Sequence, residues 1–162
     1  MSDPLKRMAK YVRDLLNVPE CSISLGRKGE YSNQKDLLII VDNLAPARQQ
    51  SVTHGYDGET EQEIIDILML GAFTVNFYGN TARQNAYLFS ALNNTENAKN
   101  LQKTHEISVF RISQIANLKQ LAGKTHEERY EISVNASYNI TNKRDVMRFD
   151  EAQFNEEFLF NK

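Results

Sequence analysis

From Tyr130 to Thr141 the chain alternates without a break. Tyr130, Ile132, Val134, Ala136, Tyr138 and Ile140 occupy one phase, and Glu131, Ser133, Asn135, Ser137, Asn139 and Thr141 the other. Successive side chains of a strand point to opposite faces, so this period of two specifies a strand with one apolar face. At the usual rise it spans roughly 35–40 Å. A slip of one residue would turn every apolar side chain to water, which fixes the register. Such a strand needs neighbours beside it and a layer, expected to be helical, over its apolar face. Its other face carries amides and hydroxyls with almost no charge.

Candidate neighbours lie upstream. Leu37–Val41 is a continuous apolar run bounded by Asp36 and Asp42-Asn43, the pattern of a central strand buried on both faces. Pro46 and the polar run Arg48–Ser51 open a second strand, closed by the turn cluster His54-Gly-Tyr-Asp-Gly58. The stretch 59–78 carries two signals. Thr60-Glu-Gln-Glu63 matches a capping box, which favours a helix over 61–70. Against it, Ile64, Ile65 and Ile67 are β-branched, and Phe73, Val75 and Phe77 alternate with polar partners. The stronger reading is one long, bent strand over 61–78 that pairs back on 48–56, with Gly71 at a bulge or bend.

The helices have clearer punctuation. Asp3 can cap a first helix with Pro4 in its first turn. Leu5, Met8, Val12, Leu15 and Leu16 form its apolar stripe, and Val18-Pro19 is the expected stop. Residues 20–36 read as an irregular loop. Gly79-Asn80-Thr81 breaks the preceding strand and caps a helix that buries Ala82, Ala86, Phe89 and Leu92. A shorter helix over Thr95–Gln102 follows, then a strand over Glu106–Ser113 whose apolar phase changes near Phe110, the mark of a bulge or of a strand buried on both faces. Residues 114–126 read as a connection. The segment 142–162 sets Phe149, Phe154, Phe158 and Phe160 among charges, a composition that suggests docking on the chain's own body or on a neighbour.

Reactive chemistry is hard to find. The 162 residues contain 19 basic and 21 acidic side chains, a net charge of −2, which argues against a DNA-wrapping or polybasic membrane-binding protein. No apolar run is long enough for a transmembrane helix, and the polar start of the chain has no signal-peptide character, so the cytoplasm is the expected site of synthesis. The single cysteine, Cys21, excludes an internal disulfide and is expected to be buried or half-buried. His54, His105 and His126 have no metal-ligand spacing and read as surface or turn residues. Asp57, Glu59, Glu61 and Glu63 lack the spacing of a calcium loop and read as a solvated hairpin. Gly26-Arg-Lys-Gly29 follows no clear strand and opens no helix, and there is no nucleophile elbow. The expectation is a protein that is not an enzyme and takes no cofactor or metal. Charge is uneven, however: residues 1–35 carry a net +3 and residues 150–162 a net −3.

The order of features from Phe73 onward is familiar. A strand ending Phe-Thr-Val-Asn-Phe-Tyr-Gly79 leads through Thr81-Ala-Arg into a helix. Ile107-Ser-Val-Phe-Arg-Ile112, Ile115-Ala-Asn-Leu118 and Glu128-Arg129 then precede the long alternating strand. Across residues 35–142 this resembles the tail terminator (neck terminator, tail completion) proteins of tailed bacteriophages; the segment 143–162 has no counterpart in that pattern. The resemblance implies an α+β subunit whose antiparallel or mixed sheet is flanked by helices. It implies a single domain over 1–142, with the first helix in 1–17, and a C-terminal arm over 143–162. It further implies a virion protein of the tail–neck junction, a homo-hexameric ring on the last layer of the tail tube. Such a ring stops tube polymerisation and meets the head-side connector. Its partners would be other copies of itself, the tail tube protein and the neck connector, with a sheath protein as a further candidate. There would be no membrane and no sequence-specific nucleic acid, the genome merely passing through the lumen.

A ring needs two different, complementary surfaces on each subunit. The interface residues expected here are Arg129 at the start of the long strand and Ser133, Asn135, Ser137 and Asn139 on its polar face. Phe154, Phe158 and Phe160 are expected to anchor the C-terminal segment on a neighbour. The rival reading of the residues is a small adaptor domain that binds a protein partner by edge-strand pairing.

Overall fold

The computed structural model describes residues 3–26, 36–118, 120–122 and 125–146. Helix α1 (Pro4–Leu16) begins as its sequence requires: the Asp3 carboxylate accepts the Leu5 N–H at 3.0 Å. Met8, Val12, Leu15 and Leu16 are buried as the stripe demands, and Ala9 and Tyr11 join them. The stop falls just ahead of Val18-Pro19, within the expected bounds. Asn17 takes a left-handed conformation and the Val18 N–H bonds back to the Arg13 carbonyl, so the helix has ended before Val18-Pro19.

The expected loop over 20–36 is corrected in part. A 3-10 turn (Glu20–Ser22) leads into strand β1 (Ile23–Leu25), which runs parallel to the start of β2. Cys21 is exposed, contrary to expectation, because that turn sends Ser22 inward instead.

Strand β2 (Leu38–Asp57) joins what the sequence suggests are two strands. Pro46 does not interrupt it, because beyond Val41 one side of β2 carries no partner strand among the described residues, so no ladder bond needs a Pro46 N–H. Three register shifts against strand β3 (Gln62–Tyr78) absorb Leu44, the pair Pro46-Ala47 and Gln50. The middle one lies opposite Gly71, so the expected irregularity is there, with its extra residue on the partner strand. Residues 62–78 are strand throughout; the helix alternative fails. Thr60 does not cap a helix but donates its hydroxyl to Asp57 inside the hairpin loop.

Helix α2 (Ala82–Leu92) buries Ala82, Ala86 and Phe89, and helix α3 (Glu96–Thr104) is capped by Thr95, whose hydroxyl accepts the Ala98 N–H. Thr81 does not cap α2 with its side chain; its hydroxyl donates to the Asp36 carbonyl instead. Strand β4 (Ser108–Ile112) has a bulge at Phe110, the first of the two readings, and is not buried on both faces: that ring is exposed. The connection after it contains three short strands, β5 (Ala116–Asn117), β6 (Gln120–Ala122) and β7 (Thr125–Glu127), where the sequence suggested none. Strand β8 (Arg129–Asp145) is the long alternating strand, extended past Thr141 by four residues.

The result is a mixed sheet in the order β1-β2-β3-β8-β4, with β5 also on β8 and a separate β6–β7 hairpin. The fold is α+β, with three α-helices among the described residues, none long and apolar enough to cross a membrane. One sheet face meets α1, α2 and α3. Tyr130, Ile132, Val134, Ala136 and Tyr138 of β8 are buried there with Phe73, Val75 and Phe77 of β3 and with Met8, Tyr11 and Phe89 of the helices. Toward the β2–β3 hairpin the cover ends. From Gln62 to Leu70 no β3 residue is fully buried, and β2 is exposed from Leu44 to Tyr56. The β2–β3–β8 ladder therefore extends about 30 Å beyond the fully buried core as a three-stranded arm.

Candidate assembly surface

On the sheet face away from the helices, β8 and β3 pair in unbroken register. On β8 that face carries Arg129, Glu131, Ser133, Asn135, Ser137 and Asn139. Directly across on β3 stand Tyr78, Asn76, Thr74, Ala72, Leu70 and Leu68. Five of the proposed interface residues, Arg129, Ser133, Asn135, Ser137 and Asn139, thus form one row. Ser133, Asn135 and Ser137 are half-buried, and Asn139 is exposed. Sequence reasoning missed the apolar half of this surface, Leu68, Leu70 and Ala72. The signal was available in the unbroken apolar run of β3, but only the pairing register shows which of its members share a face with the polar row.

Arg129 organises one end of the row. Its Nε and Nη2 donate to Asn76 Oδ1 at 3.2 and 3.0 Å, and Nη2 also reaches Glu131 Oε2 at 3.2 Å. The guanidinium lies 5.5 Å from the centre of the Tyr78 ring. Asn76 is only 6% exposed, so its carbonyl needs these donors. Beside it Leu38, Ile40 and Tyr78 form a small buried apolar cluster on the same face. The row therefore runs from a fixed, ion-paired base to an open, uncharged stretch of serine, asparagine and leucine. Small amides and hydroxyls there can pair across an interface at modest desolvation cost, whereas charges could not.

The arm ends in the acidic hairpin. The Thr60 hydroxyl and the Glu59 N–H donate to the Asp57 carboxylate and hold it below the usual carboxylate range. His54 and Glu63 lie 3.3 Å apart on its flank. No group of three or more potential metal ligands comes together among the described residues. His105 departs from the surface reading: it caps α3 at a turn, but its ring is half-buried and its Nε2 meets Asp14 Oδ2 at 2.8 Å. Phe154, Phe158 and Phe160 lie outside the described residues.

Compared with families of known proteins, the chain matches the model described as phage neck terminator protein over residues 28–158. The chain belongs to this family. No curated protein matches it. The neck terminator family is one of structural proteins of the phage tail and neck, and that is the coarse role of this chain. The family match starts earlier than the pattern resemblance and runs later, through most of the segment 143–162 that the pattern left unmatched. The Tyr78-Gly79 step of this neck terminator has a physical basis in the fold: Gly79, at φ +102, brings α2 back so closely that the Thr81 N–H and hydroxyl both reach the Asp36 carbonyl.

Proposed function

We propose that this chain is a ring-forming tail terminator, six copies of which cap the tail tube, stop its polymerisation and join the tail to the head-side connector in the virion. It works through surfaces rather than reactive groups and needs no cofactor. Family membership supports the tail and neck setting. The observation that carries the assembly reading is the bare sheet face and arm. Among the described residues no helix is packed over Leu68, Leu70 and the row Ser133–Asn139, although Leu68 and Leu70 are large and apolar. A heterologous ring contact would cover that face and leave a second, different patch for the next copy. In this reading Arg129 stiffens the base of the contact row, and Phe154, Phe158 and Phe160 anchor the C-terminal segment on a neighbour. The tube protein and the neck connector, with a sheath protein as a further candidate, meet the two ends of the ring.

The test is direct. Purified protein imaged by negative-stain electron microscopy, alone and with tail tubes, is expected to give annular particles of six subunits that sit at tube ends. A protein that stays monomeric at every concentration and ignores tube ends would overturn the reading.

A further inference from the structure

The sheet has two open edges in its arm, and the chain treats them differently. The β2 edge is interrupted by Pro46 and three bulges, devices that prevent another strand from pairing there. The β8 edge is not. Strand β4 leaves β8 at Ser137, and from Tyr138 to Asp145 no strand pairs on that side among the described residues. Over the same residues β8 stays in unbroken register with β3 and contains no proline. This straight edge runs along an open groove of about 1050 Å³. Leu68, Ile107 and Tyr138 line it, and among its charged residues the bases Arg7, Lys99, Lys103 and Lys143 outnumber the one acid, Glu106.

We infer that this groove receives the C-terminal segment, residues 147–162, of an adjacent copy of the chain, which adds to the β8 edge as a further strand. The inference rests on the ring reading above and names its second surface. Three observations favour this occupant. First, charge: residues 147–162 hold Asp150, Glu151, Glu156 and Glu157 against Arg148 and Lys162, a net −2, opposite in sign to the basic excess of the groove. Second, composition: Phe154, Phe158 and Phe160 supply apolar side chains for the apolar lining, and strand addition combines main-chain pairing with such pockets. Third, length: the described part of β8 ends at the hairpin tip, where the Val146 N–H bonds to the Glu61 carbonyl, and residues 147–162 follow it. Sixteen residues then reach up to about 50 Å when extended, enough to cross to a neighbour.

Cysteine cross-linking of the full-length protein tests this. In a Cys21→Ser background, one sample carries Thr141→Cys in the groove and a second carries Asn155→Cys in the segment. Mixed and oxidised at a concentration where light scattering reports the ring, the two chains are expected to give a disulfide-linked dimer. Replacing Thr141→Cys by Ser51→Cys on the β2 edge should abolish it. A charge test accompanies it: Lys99→Glu with Lys103→Glu should raise the concentration for half-assembly about tenfold, and Glu156→Lys with Glu157→Lys in the same chain should restore much of it. A ring with no mixed dimer, or a chain carrying both cysteines that closes only on itself, overturns this inference and leaves the ring standing. A protein that is monomeric by light scattering removes the ring reading, and this inference with it.

Discussion

Replacing Gly79 by alanine tests the close approach that ties β3, α2 and the start of β2 together. Gly79 sits at φ +102, a conformation that strains an L-residue by roughly 1–3 kcal/mol. A Cβ added there would lie 2.7 Å from the Asp36 carbonyl oxygen and 2.9 Å from the carbonyl carbon. The obstacle is backbone, and it is pinned: that carbonyl accepts the Thr81 N–H at 3.1 Å and the Thr81 hydroxyl at 2.9 Å. Moving it loosens two hydrogen bonds, each worth about 0.5–1.5 kcal/mol net. Alanine offsets part of this by restricting the unfolded chain, worth about 0.4–1 kcal/mol. The expected loss for Gly79→Ala is about 2–4 kcal/mol. Gly58→Ala, in the hairpin loop, is the control. Its added Cβ meets nothing closer than a Tyr56 ring carbon at 3.9 Å, so the change should stay within about 0.5 kcal/mol. Urea unfolding followed by far-ultraviolet circular dichroism reads both, since the chain has no tryptophan. A Gly79→Ala midpoint equal to wild type at unchanged slope would refute the reasoning.

Other substitutions probe separate parts of the molecule. Arg129→Met strips the buried Asn76 carbonyl of its donors and should cost about 1–3 kcal/mol in thermal or urea unfolding, while Arg129→Lys recovers only part because it lacks the planar fork. Phe89→Ala removes a fully buried ring that meets Phe77 and the edge of Tyr11, and should cost about 3–5 kcal/mol. Burial is the largest single influence on Asp14 and pushes its carboxyl up. The hydrogen bonds and charges of Arg13 and His105 together outweigh it, so the group lies below the usual range. A depressed carboxylate contributes stability that is fully present above its unfolded value, about 3.9, and is lost as pH falls through its folded value. Asp14→Asn should therefore be destabilised most near neutrality, the gap to wild type closing below about pH 4 in a pH series of urea midpoints. Leu70→Asn, on the bare face beside Ser137, should cost the isolated protomer about 1 kcal/mol, since that side chain is only half-buried, yet markedly raise the concentration for assembly in light scattering.

The parts of the fold legible in the sequence are those where one local rule decides. Twelve alternating residues give β8 and its buried face, and Asp3-Pro4 gives the start of α1. Helix α2 follows from its 3–4 spacing, and the phase change at Phe110 narrows β4 to a bulge or a doubly buried strand. Where tertiary context decides, the sequence misleads. Three residues, Ile23–Leu25, become a strand only because β2 offers them a parallel partner. Pro46 reads as a strand boundary, yet it is harmless on an edge with nothing to donate to. Tyr11 carries a hydroxyl and so falls outside an apolar stripe, but Asn93 accepts its hydrogen bond and Gln102 donates one to it, and the ring is buried. The interface row was half legible: alternation placed Ser133, Asn135, Ser137 and Asn139 on one face, but nothing local could bring Leu68 and Leu70 beside them.

The least decidable stretch of the sequence, Ile64–Leu70, is ambiguous for a reason that bears on assembly. Its apolar residues occupy both phases of the strand, whereas a strand with one face in water should alternate. Continuous runs belong to strands covered on both sides. Yet among the described residues β3 is flanked here by β2 and β8, and Met69 packs against the core; Ile64, Ile65, Ile67, Leu68, Met69 and Leu70 all remain half-buried. The pattern therefore matches a more buried environment than the described residues supply. Covering the exposed remainder of those six side chains is a favourable term of several kcal/mol at about 25 cal/mol per Å². In the proposed ring that term becomes available when another copy closes over the arm, and it would favour the ring over the protomer.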